Sequence, residues 1–229
     1  MSLTGKRIAI TGAFGSLGAA VVKTALAAGA KLAAIDRADA PPAGIDLGAA
    51  GRFGGVDLAD GEQAKTAIDQ AATAMGGLDA LVNIAGTFRF ETLADGGAET
   101  WDLLYRVNLR TAVAASKAAL AYLPDGGRIV NIGAAGALKA GAGMGAYAAS
   151  KSGVMRLTES LAEELKPRGI TVNAVLPSII DTPPNRRDMP KADFGKWVKP
   201  SQLADVIVFL LSEQASAITG ALIPVVGRV

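Results

Sequence analysis

Seven short apolar runs alternate with longer segments of helical period, and this alternation limits the possible folds more than any other feature of the chain. Strand-length runs fall near 6–11, 31–36, 52–56, 79–84, 127–132, 170–175 and 222–226. Helical segments fall near 15–28, 61–75, 98–107, 109–122, 147–166 and 201–212. Runs such as Arg7-Ile-Ala-Ile-Thr11 and Ala80-Leu-Val-Asn-Ile84 are apolar on both faces, as parallel strands covered on both sides must be. Strands joined by helical crossovers predict an α/β fold with one doubly wound, seven-stranded parallel sheet in a single domain. The 229 residues are enough for one such domain with a substantial core.

Two stretches interrupt the alternation. Ala38 to Gly51 is rich in Ala, Gly and Pro and reads as a surface loop. Ser178 to Pro200 carries Pro183, Pro184, Pro190 and Pro200 with mixed charge. An irregular segment of that length within a compact domain is uncommon unless it covers a ligand, so it is read as a substrate lid.

The turn Thr11-Gly-Ala-Phe-Gly-Ser-Leu-Gly18 joins the first strand to the first helix. Glycines at 12, 15 and 18 permit a sharp turn, close approach of backbone to a pyrophosphate, and tight packing of helix on sheet. The helix that follows points free N–H groups and its positive dipole end at the phosphates. A second strand ends 18 residues beyond Gly18 in Ala-Ala-Ile-Asp36. A carboxylate there accepts ribose hydroxyls and repels a 2′-phosphate, which favours NAD(H). Arg37 beside it is suited to a 2′-phosphate, so NADP(H) stays open. This strand–turn–helix context defines a dinucleotide-binding, Rossmann-type domain.

At the other end of the chain, Tyr147-Ala-Ala-Ser-Lys151 opens an apolar-periodic helix and puts a phenol and an ammonium one turn apart on one face. A free phenol, with a pKa of about 10, is a poor proton carrier at neutral pH. A nearby cation is expected to pull that value down. The chain has no His and no Cys, so the pair is its leading candidate for proton chemistry. The same absences exclude disulfides and the usual zinc and haem ligand sets.

Hydrophobic residues make up 50% of the chain and charged residues 19%, the balance of a globular protein rather than a disordered one. A net charge of +2 with scattered Lys and Arg argues against nucleic acid. Val206 to Leu211, the longest apolar stretch near the C-terminus, is too short to span a bilayer. Met-Ser-Leu-Thr-Gly-Lys-Arg leads straight into the first strand without a signal-peptide apolar segment. A soluble, cytoplasmic protein with a small-molecule substrate is expected.

Taken together, these pieces resemble the short-chain dehydrogenase/reductase family over essentially the whole chain. The resemblance implies cofactor contacts from Gly12, Phe14, Gly15, Leu17, Gly18, Asp36, Arg37, Asp57, Leu58, Asn83, Ala85, Gly86, Tyr147, Lys151, Pro177, Ile180 and Thr182. Asp57-Leu58 is similar to the family's adenine-contacting pair, and Asn83-Ile-Ala-Gly86 to its Asn-Asn-Ala-Gly run, with Ile84 in place of the second Asn. Val107-Asn108 resembles the site of an Asn that kinks a central helix and holds a proton-relay water. Pro177 to Thr182 corresponds to the segment around the nicotinamide carboxamide, and Ile218-Thr-Gly220 to the turn before the last strand. Ser16 and Ser178 stand where glycine is usual.

The largest departure is at Ala134, where the family usually carries a Ser whose hydroxyl bonds the reacting carbonyl oxygen. Losing one such donor costs on the order of 10²–10³ in rate for a carbonyl substrate. A narrower resemblance, to the dihydropteridine reductases, rests on Gly143-Met-Gly-Ala-Tyr147 and on Asp181 to Trp197. It implies reduction of a quinonoid dihydropterin, whose ring is electrophilic enough to need no such donor. Catalysis is then expected from Tyr147, Lys151 and Asn108, with Ala134, Phe194 and Trp197 near the substrate. Phe194 and Trp197 have two readings, stacking on a flat substrate or anchoring the lid to the core. Two other functional readings stay open, a weakened carbonyl reductase and a non-catalytic NAD(H)-binding sensor. Alanine-rich faces of the helices at 109–122 and 147–166 are expected to support a homodimer or homotetramer.

Overall fold

The computed structural model describes all residues from Met1 to Val229. Seven strands form one sheet: β1 (Arg7–Thr11), β2 (Lys31–Ile35), β3 (Gly51–Phe53), β4 (Ala80–Asn83), β5 (Arg128–Ile132), β6 (Thr171–Pro177) and β7 (Leu222–Val225). Their order is β3-β2-β1-β4-β5-β6-β7, and every neighbouring pair is parallel. The chain runs outward from β1 to β3, then returns to place β4 on the other side of β1. This reversal opens a crevice at the carboxyl ends of β1 and β4, where doubly wound sheets bind their ligands.

The helices are α1 (Ser16–Ala27), α2 (Gly61–Met75), α3 (Ala98–Leu104), α4 (Thr111–Ala119), α5 (Gly145–Leu165), α6 (Pro183–Asp188) and α7 (Pro200–Leu211). Their apolar faces divide the core into two layers. Val21, Val22 and Ala25 of α1 pack with Leu203, Ile207 and Val208 of α7 on one side of the sheet. Ala64, Ile68 and Ala71 of α2 pack with Ala115 of α4 and Leu161 of α5 on the other. Successive strand residues alternate between these layers, Ile8 and Ile10 facing one and Ala9 the other. This two-sided burial explains the continuous apolar runs in the sequence. No helix is long and apolar enough to cross a membrane.

The expected elements are present, with small shifts at their ends. The run expected as a strand at 52–56 pairs only over Gly51–Phe53, and Gly54 beyond it packs so closely on the Asp39 carbonyl that a side chain there would clash. The helices expected at 98–107 and 109–122 form one continuous rod. A π-helical turn over Tyr105–Arg110 joins α3 to α4. Residues 178–200 differ more from expectation, since this stretch contains α6 and a short 3₁₀ turn at Phe194–Lys196. Its two ends are tied by backbone bonds from Asp181 N–H to the Val198 carbonyl (2.8 Å) and from Val198 N–H to the Ile179 carbonyl (3.1 Å). Thr182 caps α6, and the Asp181 carboxylate holds both sides of the Arg186 guanidinium at 2.6 and 2.8 Å. The segment is therefore a compact, self-bonded loop.

Candidate active site

Gly12 and Gly18 are obligatory at the first turn. A methyl on Gly12 would lie 2.7 Å from the Ala85 nitrogen, and the residue has φ of +64°. A methyl on Gly18 would lie 2.2 Å from the Gly12 carbonyl oxygen. Gly15 differs, because its added methyl would meet only the Gly12 oxygen at 3.5 Å. Space in front of Gly15 is thus open for a ligand to approach the backbone. Gly15 also precedes α1 without a side-chain cap, so the first amides of that helix are free for an anion. The turn fits a dinucleotide pyrophosphate.

Asp36 lies at the end of β2, facing this turn. One carboxylate oxygen accepts the Phe14 amide at 2.9 Å and the other the Ala38 amide at 3.0 Å. A carboxylate has about four acceptor positions, so ribose hydroxyls can still bond there. Arg37 beside it is exposed. The side chains of Phe14, Leu17 and Leu58 are 3%, 8% and 3% exposed. Their side chains belong to the core, which leaves their backbone as the part suited to meet a cofactor. Asp57 is engaged by Arg106 at 2.6 Å and by its own loop through the Ala59 amide at 3.0 Å. Pro177 is buried, while Ile180 and Thr182 are half-buried at the mouth of the loop after β6.

At the end of β4, Thr11 accepts the Ile84 and Ala85 amides at 3.1 and 3.3 Å and so fixes the exit of β4 against β1. Asn83 is buried and donates to Ser116 at 3.0 Å and to Asn131 at 2.9 Å. Asn131 donates in turn to Thr158 of α5 at 2.9 Å. The polar chain ties β4, β5, α4 and α5 together, and Asn83 contributes through this frame rather than by pointing into the crevice.

Tyr147 and Lys151 meet the crevice from the first two turns of α5. Lys151 is buried, and its Nζ donates to the Ile132 carbonyl at the end of β5 at 2.8 Å. Asn108 sits inside the π-helical turn, the kind of local widening often found at functional sites. Its carbonyl oxygen accepts the Thr87 amide at 2.6 Å, and its Nδ2 donates to Ser150 at 2.9 Å. Ser150 donates to the Tyr147 carbonyl at 2.8 Å. Gly86 joins these groups: a methyl there would lie 3.0 Å from Asn108 Oδ1 and 3.3 Å from Lys151 Nζ. Gly86, Asn108 and Lys151 therefore share one corner, and Ala85 touches Gly12 on the turn.

Burial pushes the Tyr147 phenol up to about 12 and the Lys151 ammonium down to about 8. This corrects the expectation that the ammonium lowers the phenol. The amine is directed at the Ile132 carbonyl, and loss of water dominates both groups. Tyr147 thus keeps its proton across the neutral range.

Ala134 is buried two residues beyond Ile132 and presents no donor. Trp197 is 5% exposed and tilts against Phe194 with ring centroids 4.8 Å apart. The Arg186 guanidinium lies 4.7 Å from the Phe194 centroid. Burial of Trp197 accords with the anchoring reading of these aromatics. The sequence reading missed Ser150, Thr87 and Phe88. The Phe88 ring meets Tyr147 edge-on, with centroids 4.9 Å apart and planes at 80°. No periodic or motif signal marks that contact, because it joins the loop after β4 to the start of α5, distant in sequence. No group of acidic residues is placed to hold a metal ion.

Comparison with known proteins agrees with this geometry. A family model described as Enoyl-(Acyl carrier protein) reductase matches residues 12–227. The 2-(S)-hydroxypropyl-CoM dehydrogenase 3 of Xanthobacter autotrophicus is 36% identical, covering 96% of this chain and 94% of that protein. The inactive 2-(S)-hydroxypropyl-CoM dehydrogenase 2 of the same organism is 35% identical, covering 90% of this chain and 98% of its own. A short-chain dehydrogenase from Burkholderia cenocepacia, solved in complex with NADP, is 35% identical with a TM-score of 0.86, covering 99% of this chain and 98% of that one. On the glycine turn, the Tyr147–Lys151 helix and these relatives, the chain belongs to the short-chain dehydrogenase/reductase family of oxidoreductases.

Proposed function

We propose that the protein uses a reduced nicotinamide dinucleotide to reduce a flat, conjugated, already electrophilic substrate, with Tyr147 as proton donor. A quinonoid dihydropterin is the type of acceptor that fits. The observation that carries this reading is the pairing of a protonated Tyr147 and a buried Lys151 with Ala134, where a hydroxyl donor would polarise a ketone. Bound across the glycine turn and the Gly86 corner, the cofactor would supply a hydride and leave oxidised by two electrons. The chain supplies the remaining parts. Tyr147 gives the proton that completes reduction. Lys151 would bond the nicotinamide ribose. Asn108 has one acceptor position left for a water that reconnects the site to solvent.

NADH is the proposed cofactor, because the Asp36 carboxylate opposes a 2′-phosphate. The NADP complex of the Burkholderia cenocepacia relative and the exposed Arg37 favour NADPH, and paired dissociation constants decide between them. The alanine-rich faces of α4 and α5 are the proposed surface for a homodimer or homotetramer. Ala134 also favours a second reading, a nucleotide-binding protein without turnover, and one relative bears the name inactive.

The test is oxidation of NADH and NADPH with quinonoid dihydropterin, 9,10-phenanthrenequinone and a panel of simple ketones, in wild type and Ala134→Ser. Turnover confined to the conjugated acceptors is expected. Ketone reduction that appears in Ala134→Ser identifies a weakened carbonyl reductase. Tight cofactor binding with no turnover on any acceptor identifies the sensor.

A further inference from the structure

The segment after β4 lacks regular structure but is pinned to the loop before α5 at two points. The Glu91 amide donates to the Gly143 carbonyl at 2.9 Å. The Phe90 ring lies so close to Gly143 that a methyl there would fall 2.4 Å from a ring carbon. Gly143 also has φ of +70°, so this seat requires glycine for two independent reasons. Two residues earlier, Phe88 covers the edge of Tyr147, yet half of its surface remains exposed. Two residues earlier again is Gly86, beside Lys151 and Asn108. The Phe88 ring therefore stands next to the proton donor with part of its surface unpaired. Phe194, the other aromatic suited to stacking, is occupied by Arg186 and Trp197.

We infer that Phe88 is a specificity-determining residue: its free surface is the wall against which a flat conjugated substrate lies beside Tyr147, and Phe90 on Gly143 is the anchor that holds it there. The substrate class rests on the function proposed above; the wall itself is tested by binding alone. An exposed ring beside a reacting group gains both area and offset stacking when a planar π-system covers it. A saturated molecule of the same size gains only the area.

The probes are 9,10-phenanthrenequinone and its fully saturated diketone analogue, titrated calorimetrically into the protein with oxidised cofactor present, so that no reduction intervenes. Phe88→Leu keeps an apolar side chain and is expected to weaken the quinone roughly fivefold while changing the saturated analogue less than about twofold. Phe88→Tyr should restore the quinone affinity. Gly143→Ala, which displaces Phe90, should reproduce the Phe88→Leu pattern. Equal weakening of both probes, unchanged quinone binding in Phe88→Leu, or no quinone binding by the wild type overturns the assignment. Quinone binding that depends on Phe88 without any oxidation of reduced cofactor supports the wall and overturns the proposed reductase.

Discussion

Replacing Lys151 by Met tests whether this site is bought at the expense of the fold. The amine is buried, and its ordinary value of 10.5 falls to about 8. At about 1.4 kcal/mol per pH unit, keeping the charge inside costs about 3 kcal/mol at pH 7. Methionine fills similar space without charge but leaves the Ile132 carbonyl unpaired, which offsets about 1 kcal/mol. The net gain at pH 7 is then about 2 kcal/mol, or about 4–8 °C in melting temperature for a chain of this size. The sign with pH follows from linkage. The folded value is depressed, so between pH 8 and 10.5 the unfolded chain holds more protons and wild-type stability rises with pH. The advantage of Lys151→Met should shrink across that window and reverse to a loss of about 1 kcal/mol near pH 10.5, where only the missing hydrogen bond remains. Tyr147 contributes an opposite slope above pH 10, common to both proteins, and it cancels in the difference. Urea melts of both cofactor-free proteins at pH 7, 9 and 10.5 measure this directly. A variant that is less stable at pH 7, or whose advantage does not change with pH, refutes the argument. Turnover should be lost in the same variant.

Four other substitutions probe separate parts of the structure. Tyr147→Phe should lower turnover by about 10²–10⁴ and leave the cofactor dissociation constant within about twofold; a wild-type rate removes Tyr147 as the acid. Gly18→Ala must displace the Gly12 carbonyl, at a cost of about 1–3 kcal/mol, and should abolish cofactor binding. Retained binding in a cofactor titration would show that the pyrophosphate sits elsewhere. Asp36→Ser removes the charge proposed to oppose a 2′-phosphate and should move the ratio of NADH to NADPH dissociation constants about tenfold towards NADPH. An unmoved ratio would mean that Asp36 serves only the Phe14 and Ala38 amides. At the amino ends of β1 and β4, Arg7 holds the Asp79 carboxyl below its usual 3.8. That pair stabilises the fold above the usual value and loses its effect as pH falls. Acid unfolding of wild type and Asp79→Asn should therefore converge at low pH, and curves that stay parallel would discount the pair.

The sheet was legible because its strands are buried on both faces. Such strands carry their apolar character in consecutive residues, and the glycine turn marks where the first of them ends. Tyr147 and Lys151 were legible because a helix fixes residues four apart on one face. The segment at 178–200 was less legible. Its prolines signalled irregular backbone, but the staple between Ile179 and Val198 and the Asp181–Arg186 pair depend on contacts that no local pattern records. At Asn108 the resemblance implied a kinked helix, and the structure shows a π-helical turn there; the bonds of Asn108 to Thr87 and Ser150 lie between distant segments and have no local signal.

By itself, the sequence determined the parallel sheet, the glycine turn, the helix that carries Tyr147 and Lys151 one turn apart, and the alanine at 134, because each is a matter of residue type at fixed local spacing. Only the tertiary structure decided which way the two acid–base groups shift, that Trp197 belongs to the core, and that Phe88 stands beside Tyr147. Those outcomes depend on how much water each group loses and on which loops come together, and both are set by packing between segments far apart along the chain.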